Sequence, residues 1–271
     1  MNSLFIGSQN LLYDVCDALQ GNDFIVVGGW SPYFICKKNG INHPGTKDVD
    51  LLFNDDEMND EDWKKIIDCL RQKRFIPSAK HQFQLLKEYK IDGEKFLYNV
   101  DLMHPCKQGF EKKEVEFKER YDYRVPGYGE CSYHGGTINL LRSKYFFEDG
   151  FNNKETVKLQ LLDGNSKDVD VRLLSPAGVI VSKAESYNNP KRLRDALDIF
   201  ASVLYGSEKE LIDHLKCYKK IVRKIEFDKL IKQIQLFQRG SKGIPSSFFE
   251  DNEEKVKKIL CKLRKKNFLL F

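Results

Sequence analysis

The sequence holds no Cys-x-x-Cys pair, no His-x-His or His-x-x-x-His spacing, and no apolar run near the roughly 18 residues of a membrane span. The first two absences exclude a zinc site legible in the sequence, and seven cysteines, an odd number, do not suggest a disulfide framework. The third excludes a helical membrane anchor. The opening stretch, MNSLFIGSQNLLYD, also lacks a basic segment followed by a continuous apolar one. The expectation is therefore a cytoplasmic protein with no membrane partner, its cysteines reduced and partly buried. No Ser/His/Asp or Cys/His arrangement stands out, and the five histidines are isolated from one another.

What is present is ordinary for a folded chain. Of 271 residues, 41% are hydrophobic and 12% aromatic, enough to bury one large core or two modest ones. The net charge of +5 is uneven: residues 206 to 271 carry 17 Lys/Arg against 9 Asp/Glu, which leaves the rest of the chain slightly acidic. A basic C-terminal quarter reads either as solvated helix faces or as a surface for a polyanion.

The pattern of apolar residues predicts a helix over 8–20, a short buried strand over 24–27, and a further helix from Trp30 to Lys38 entered through Gly28-Gly29. TKDVDLLF, residues 46–53, alternates as a strand. Asn59 to Arg74 has a helical stripe, and Gln82–Tyr89 and Lys95–Met103 read as strands around an Asp92-Gly93 turn. Residues 106–150 are glycine-punctuated (VPGYGE, YHGGT, EDG) and give only weak strand and loop signals. A second hairpin closes around Asp163-Gly164-Asn165. From Ser175 the chain reads as helical: Ser175-Pro176 opens a helix to about Tyr187, Asn189-Pro190 another to about Tyr205, and three more cover 208–223, 226–238 and 250–266. The expected fold class is α+β, a mixed sheet with flanking helices over 1–174 and an all-helical C-terminal domain over 175–271.

Asp48 and Asp50 stand two apart on the expected strand, so both carboxylates leave one face of the sheet. Hard oxygen donors so placed suit Mg²⁺, which keeps waters and takes other ligands from substrate phosphates. A lone Asp-x-Asp is short, however, and reads more readily as a solvated strand face. YNVDLMH adds Asp101 on a second strand, so a third carboxylate joins the pair if the strands are neighbours. Gly28-Gly29, at a helix start, would let backbone N–H groups approach a phosphate chain, with the helix dipole favouring its charge.

An apolar strand ending in Gly-Gly, then Thr46-Lys47-Asp48-Val49-Asp50, then a lone strand aspartate at 101, resembles the nucleotidyltransferase superfamily of DNA polymerase β. The resemblance implies transfer of a nucleoside monophosphate from an NTP with two Mg²⁺ ions held by Asp48, Asp50 and Asp101, and places Gly28, Gly29, Ser31 and Thr46 at the nucleotide. The 18 residues between Gly29 and Asp48 exceed the family's usual spacing, which points to a loop insertion at 39–45. Trp30 reads as a buried aromatic before it reads as a base-stacking residue.

A second stretch, residues 173–204, resembles a conserved block of the bacterial abortive-infection nucleotidyltransferases, toxin halves of toxin–antitoxin pairs, in which a Lys precedes Arg-x-Lys-Asp-x-x-Asp. The matching positions are Lys183, Arg192, Arg194, Asp195 and Asp198, with Arg194 in place of the usual Lys. The resemblance implies that Lys183 reaches the NTP phosphates and that Asp195 supports Lys183 or helps activate the acceptor. On spacing alone, Leu193, Leu197, Phe200 and Leu204 form the core stripe and Arg192–Asp195 is a surface pair. SKDVDV, residues 166–171, repeats the acidic pattern without the preceding strand, glycines and helix, and fits a hairpin arm.

The expected activity is thus Mg²⁺-dependent nucleotidyl transfer to an acceptor hydroxyl, with RNA, tRNA included, as the leading acceptor and a protein antitoxin as a partner. Transfer to a small molecule such as an aminoglycoside, and a nucleotide-binding module without turnover, are the alternatives. His104 lies close enough to Asp101 in sequence to neighbour the site.

Overall fold

The computed structural model describes residues 3–54, 58–106, 114–125, 129–240 and 246–265. Parts of the VPGYGE stretch and the end of the last expected helix lie outside them. The described chain forms two compact units: residues 1–29, 45–147 and 154–173 make one, and 30–44, 148–153 and 174–271 the other.

The first unit is a mixed sheet with two long helices. In chain order it has α1 (Ser3–Ala18), β1 (Phe24–Val27), β2 (Val49–Phe53), α3 (Asp60–Gln72), β3 (Ile76–Pro77), β4 (Gln84–Ile91), β5 (Glu94–Pro105), β6 (Val115–Val125), β7 (Gly129–Leu140), β8 (Asn152–Gln160) and β9 (Ser166–Leu174). Their order across the sheet is β3-β4-β5-β2-β1-β9-β8, with the β6–β7 hairpin joined through β7 to β5. β1 lies inside, antiparallel to β2 and parallel to β9. All four of its residues are buried, which is why Phe-Ile-Val-Val shows no alternation. β2 runs parallel to β5 and pairs Asp50 with Asp101.

Each helix has a local cause. In α1, Leu11, Leu12, Val15 and Cys16 are buried at helical spacing. The helix begins five residues before the expected start and comes so close to the sheet that a Cβ on Gly7 would meet the Tyr98 ring. Its polar side chains also have a task. Gln9 Oε1 accepts from the Gln160 N–H and Asn10 Oδ1 from the Leu162 N–H, each at 3.1 Å, at the end of the sheet's last strand. α3 is opened by a capping box between Asn59 and Asp62 and buries Trp63, Ile66, Ile67 and Leu70. The Asp92-Gly93 turn has both residues at positive φ, as a two-residue hairpin requires. Residues 106–150, weakly read from sequence, contain a long two-stranded hairpin whose pairing is irregular between Phe117 and Arg120.

The second unit is helical: α2 (Trp30–Lys38), α4 (Pro176–Lys183), α5 (Arg194–Tyr205), α6 (Glu208–His214), α7 (Lys219–Val222), α8 (Phe227–Gly240) and α9 (Ser246–Arg264). α5 sits among α2, α4, α8 and α9, and every residue from Asp195 to Leu204 is buried. Phe200 packs edge-on against Phe248 and Phe249 of α9. Trp30 is fully buried and stacks on Phe34. The expected helix over 208–223 is broken by a 3₁₀ turn at Leu215–Tyr218.

Two boundaries differ from expectation for clear reasons. Ser175 caps α4 by accepting from the Gly178 N–H, as its sequence suggests. Asn189-Pro190 does not start α5: Asn189 Oδ1 accepts from the Lys191 N–H in a tight turn, and the helix begins at Arg194. Asp48 precedes β2 rather than standing on it.

Candidate functional site

Two groups of charged side chains carry the expected site residues, one in each unit.

In the sheet unit the acids gather where β2 and β5 run side by side. Asp50 and Asp101 are register partners on parallel strands, so their side chains leave the same face as neighbours. Asp50 and Asp101 are half-buried, while the residues flanking each in sequence are almost wholly buried on the other face. Val27, the last residue of β1, is the partner of Asp50 on its other side. The next residue, Gly28, has φ +71°, and a Cβ there would collide with Asp50 Oδ2. The absence of a side chain at Gly28 thus makes room for the Asp50 carboxylate itself.

Asp48 accepts a hydrogen bond from the buried Thr46 hydroxyl. Asp101 Oδ1 accepts from the Gln84 amide at 2.8 Å and the Asn99 amide at 3.2 Å. Burial pushes the Asp101 carboxyl above its ordinary range and the Asp48 charge adds to this, while the two amides and His81 pull the other way. His81 was not among the expected residues. It stacks on Phe83 with centroids 5.2 Å apart, just before β4, and its only sequence signal is proximity to a strand that pairs with β5. His104, by contrast, lies on the face opposite Asp101 with Val100 and Leu102. Its Nδ1 is 2.9 Å from the Thr137 hydroxyl, so it does not neighbour the acids.

The donor set, three carboxylates on or beside one strand pair, suits a hard divalent cation. Among the described residues no three His, Cys, Asp or Glu side chains are already drawn together as a cage. A cation would relieve the repulsion among these carboxylates but would have to compete with the Thr46, Gln84 and Asn99 hydrogen bonds. The similar acids of β9 are differently employed: Asp170 accepts from Thr156 of β8 at 2.6 Å. Both Asp168 and Asp170 line a groove of about 740 Å³ near the start of β1, the end of that strand away from Gly28.

The helical unit holds the second group. Lys183, at the end of α4, is 3% exposed. Its ammonium is 3.1 Å from Asp195 Oδ1 and 3.6 Å from Asp198 Oδ2. Asp195 also accepts from Ser186 at 2.5 Å and from Arg192 Nε at 2.8 Å. The Arg192–Asp195 contact exists, but Asp195 is 2% exposed, not a surface residue. Asp198 is completely buried and receives His43 Nε2 at 2.9 Å. Burial opposes its charge, yet the His43 hydrogen bond and the Lys183 and Arg194 charges outweigh this and hold the carboxyl below its usual range. Ser31 is buried, and its hydroxyl accepts from the Leu174 N–H at 3.0 Å.

Set against known proteins, the chain matches no family model and no curated protein. Among the described residues no helix is long and apolar enough to cross a membrane.

Proposed function

We propose that this protein is a Mg²⁺-dependent nucleotidyltransferase of the polymerase-β-like type, moving a nucleoside monophosphate from an NTP to an acceptor hydroxyl. The observation that carries the reading is the pairing of Asp50 with Asp101 on parallel strands, with Asp48 two residues upstream and Gly28 opening space beside Asp50. That geometry sets two acids distant in sequence, Asp50 and Asp101, side by side on one face, with Asp48 just before the strand. Asp48, Asp50 and Asp101 are the residues that would hold the metal ions. When bound, such ions supply charge neutralisation of the phosphates and a lowered pKa for the acceptor hydroxyl.

The chain's own groups supply the rest. Gln84 and Asn99 orient the Asp101 carboxylate, and Thr46 orients that of Asp48. On the resemblance, Asp101 lies on the acceptor side and is the carboxylate proposed to assist removal of the acceptor's proton. On the resemblance, Lys183 is assigned to the phosphates and Asp195, in contact with its ammonium, to its support. RNA is the proposed acceptor, supported by the basic surplus of residues 206–271. Much of that surplus is engaged with surface acids, as in Lys229–Glu226 and Lys224–Glu185. The toxin role and its antitoxin rest on the resemblance alone.

The test is transfer of label from α-labelled NTPs to total RNA with Mg²⁺, comparing the wild type with Asp48→Ala, Asp50→Ala and Asp101→Ala. Loss of at least about a thousandfold in each variant supports the proposal, because a displaced metal ligand removes most of the rate. Label transfer that survives all three changes rejects it.

A further inference from the structure

The spacer between Gly29 and Asp48 is long, and the end of it has a specific attachment. After α2 the chain folds back through Asn39 and Ile41, whose N–H groups both donate to the Cys36 carbonyl, and then buries His43 in irregular structure. The His43 ring meets Tyr33 edge-on, with centroids 6.1 Å apart. Its Nε2 lies 2.9 Å from Asp198 Oδ1, and both side chains are fully buried.

Which atom carries the proton follows from Asp198. An ionised carboxylate only accepts, so His43 Nε2 must donate. Asp198 then has one oxygen fixed by His43 and one, Oδ2, that finds no hydrogen-bond donor among the described residues and faces the Lys183 ammonium at 3.6 Å. The ammonium is therefore located by two carboxylates of different support. Asp195 is oriented by Ser186 and Arg192. Asp198 is oriented by His43.

We propose that His43 is a positioning residue for Lys183: by donating Nε2–H to Asp198 it turns the other carboxylate oxygen toward the ammonium and holds Lys183 in its working place. The proposal deepens the nucleotidyl-transfer reading and rests on the role given there to Lys183. It also gives the long spacer a purpose, since a shorter connection would lack the residue that reaches Asp198.

The experiment uses the full chain with three substitutions: His43→Gln, which keeps an N–H donor at similar reach; His43→Leu, which fills the space without one; and Asp198→Asn. The first readout is ¹⁵N NMR of labelled histidine. A His43 Nε2–H signal protected from exchange in the wild type, and shifted or lost in Asp198→Asn, is expected; a His43 resonance indifferent to Asp198→Asn overturns the proposal. The second is transfer kinetics on folded protein, with folding checked by circular dichroism. His43→Leu should lower kcat/KM by about tenfold or more while His43→Gln stays within about threefold of wild type. Equal activity of the Leu variant and the wild type overturns the clamp but leaves nucleotidyl transfer standing, and so does an equal loss in both variants. If the wild type transfers nothing, the transfer reading falls, and with it the working role of Lys183.

Discussion

The two charged groups of this molecule are built on opposite principles. On the sheet, Asp50 and Asp101 are half-buried neighbours on one face and Asp48 lies just before that strand, with amides among the partners of Asp101 and a hydroxyl beside Asp48. In the helical unit, Asp195 and Asp198 are buried outright and matched by Lys183, Arg192 and His43. The first is the arrangement proposed to take a cation. The second already brings a buried ammonium to its carboxylates, so its charges hold side chains in place. In the helical group the buried carboxylates are held by the cations Lys183 and Arg192.

The largest expected effect comes from removing the cation of the completed group. Lys183→Met leaves Asp195 and Asp198 short of positive charge in the interior and should destabilise the protein by about 3–5 kcal/mol, read as a lower urea midpoint. Gly28→Ala comes next. The strain of a positive φ costs roughly 1–2 kcal/mol, and the collision with Asp50 adds to it. Because the collision is with one side chain, Asp50→Ala in the same chain should restore part of the lost stability, and strict additivity of the two changes would contradict the described contact.

Acid separates the two groups by sign. Asp101 has a raised folded-state pKa, so its carboxyl favours the folded state at low pH, and that contribution is lost as pH rises through the folded value. Asp198 has a lowered pKa; its contribution is present above the unfolded value and is lost as pH falls through the folded one. Asp101→Asn should therefore raise the melting temperature at neutral pH in the absence of divalent cations, with the gain fading toward pH 4. Asp198→Asn should lower it at neutral pH, with the loss shrinking in acid. Thermal melts of both variants from about pH 2 to pH 8 check the contrast, because the Asp198 change falls below the ordinary carboxylate range and the Asp101 change above it. The smallest effect is at Arg192, whose side chain is about half exposed: Arg192→Gln should cost only tenths of a kcal/mol, and a larger loss in urea unfolding would mean that Asp195 depends on it more than on Lys183.

The acidic face was legible because strand alternation is a short-range rule: Val49, Leu51, Val100 and Leu102 point one way, and Asp50 and Asp101 the other. The glycines before α2 and the two Asp-Gly turns were legible for a similar local reason. In the helical group the resemblance named Lys183, Asp195 and Asp198, but spacing alone misjudged the burial of Asp195. Helical periodicity assumes that one face of α5 meets water and so assigned Asp195 to the surface, whereas α5 is enclosed by its neighbours and its aspartates find partners at Lys183 and at His43, 155 positions earlier. Nothing in the local sequence announces that pairing. The β6–β7 hairpin was only weakly legible: β6 alternates Val115, Phe117, Tyr121, Tyr123 and Val125 with charged residues, but β7 carries Gly129, Gly135 and Gly136 and the pairing is irregular between Phe117 and Arg120.

The hydrogen bonds from Gln160 and Leu162 to Gln9 and Asn10 have a bearing on how the molecule assembles. They join positions about 150 residues apart, and β1 gains its second neighbour only at Leu173. The opening helix can form early, but the strand end it secures is made only about 150 residues later, so the sheet unit is a structure of distant partners, slow to close. A ribosome must deliver roughly two thirds of the chain before the first strand is enclosed on both sides.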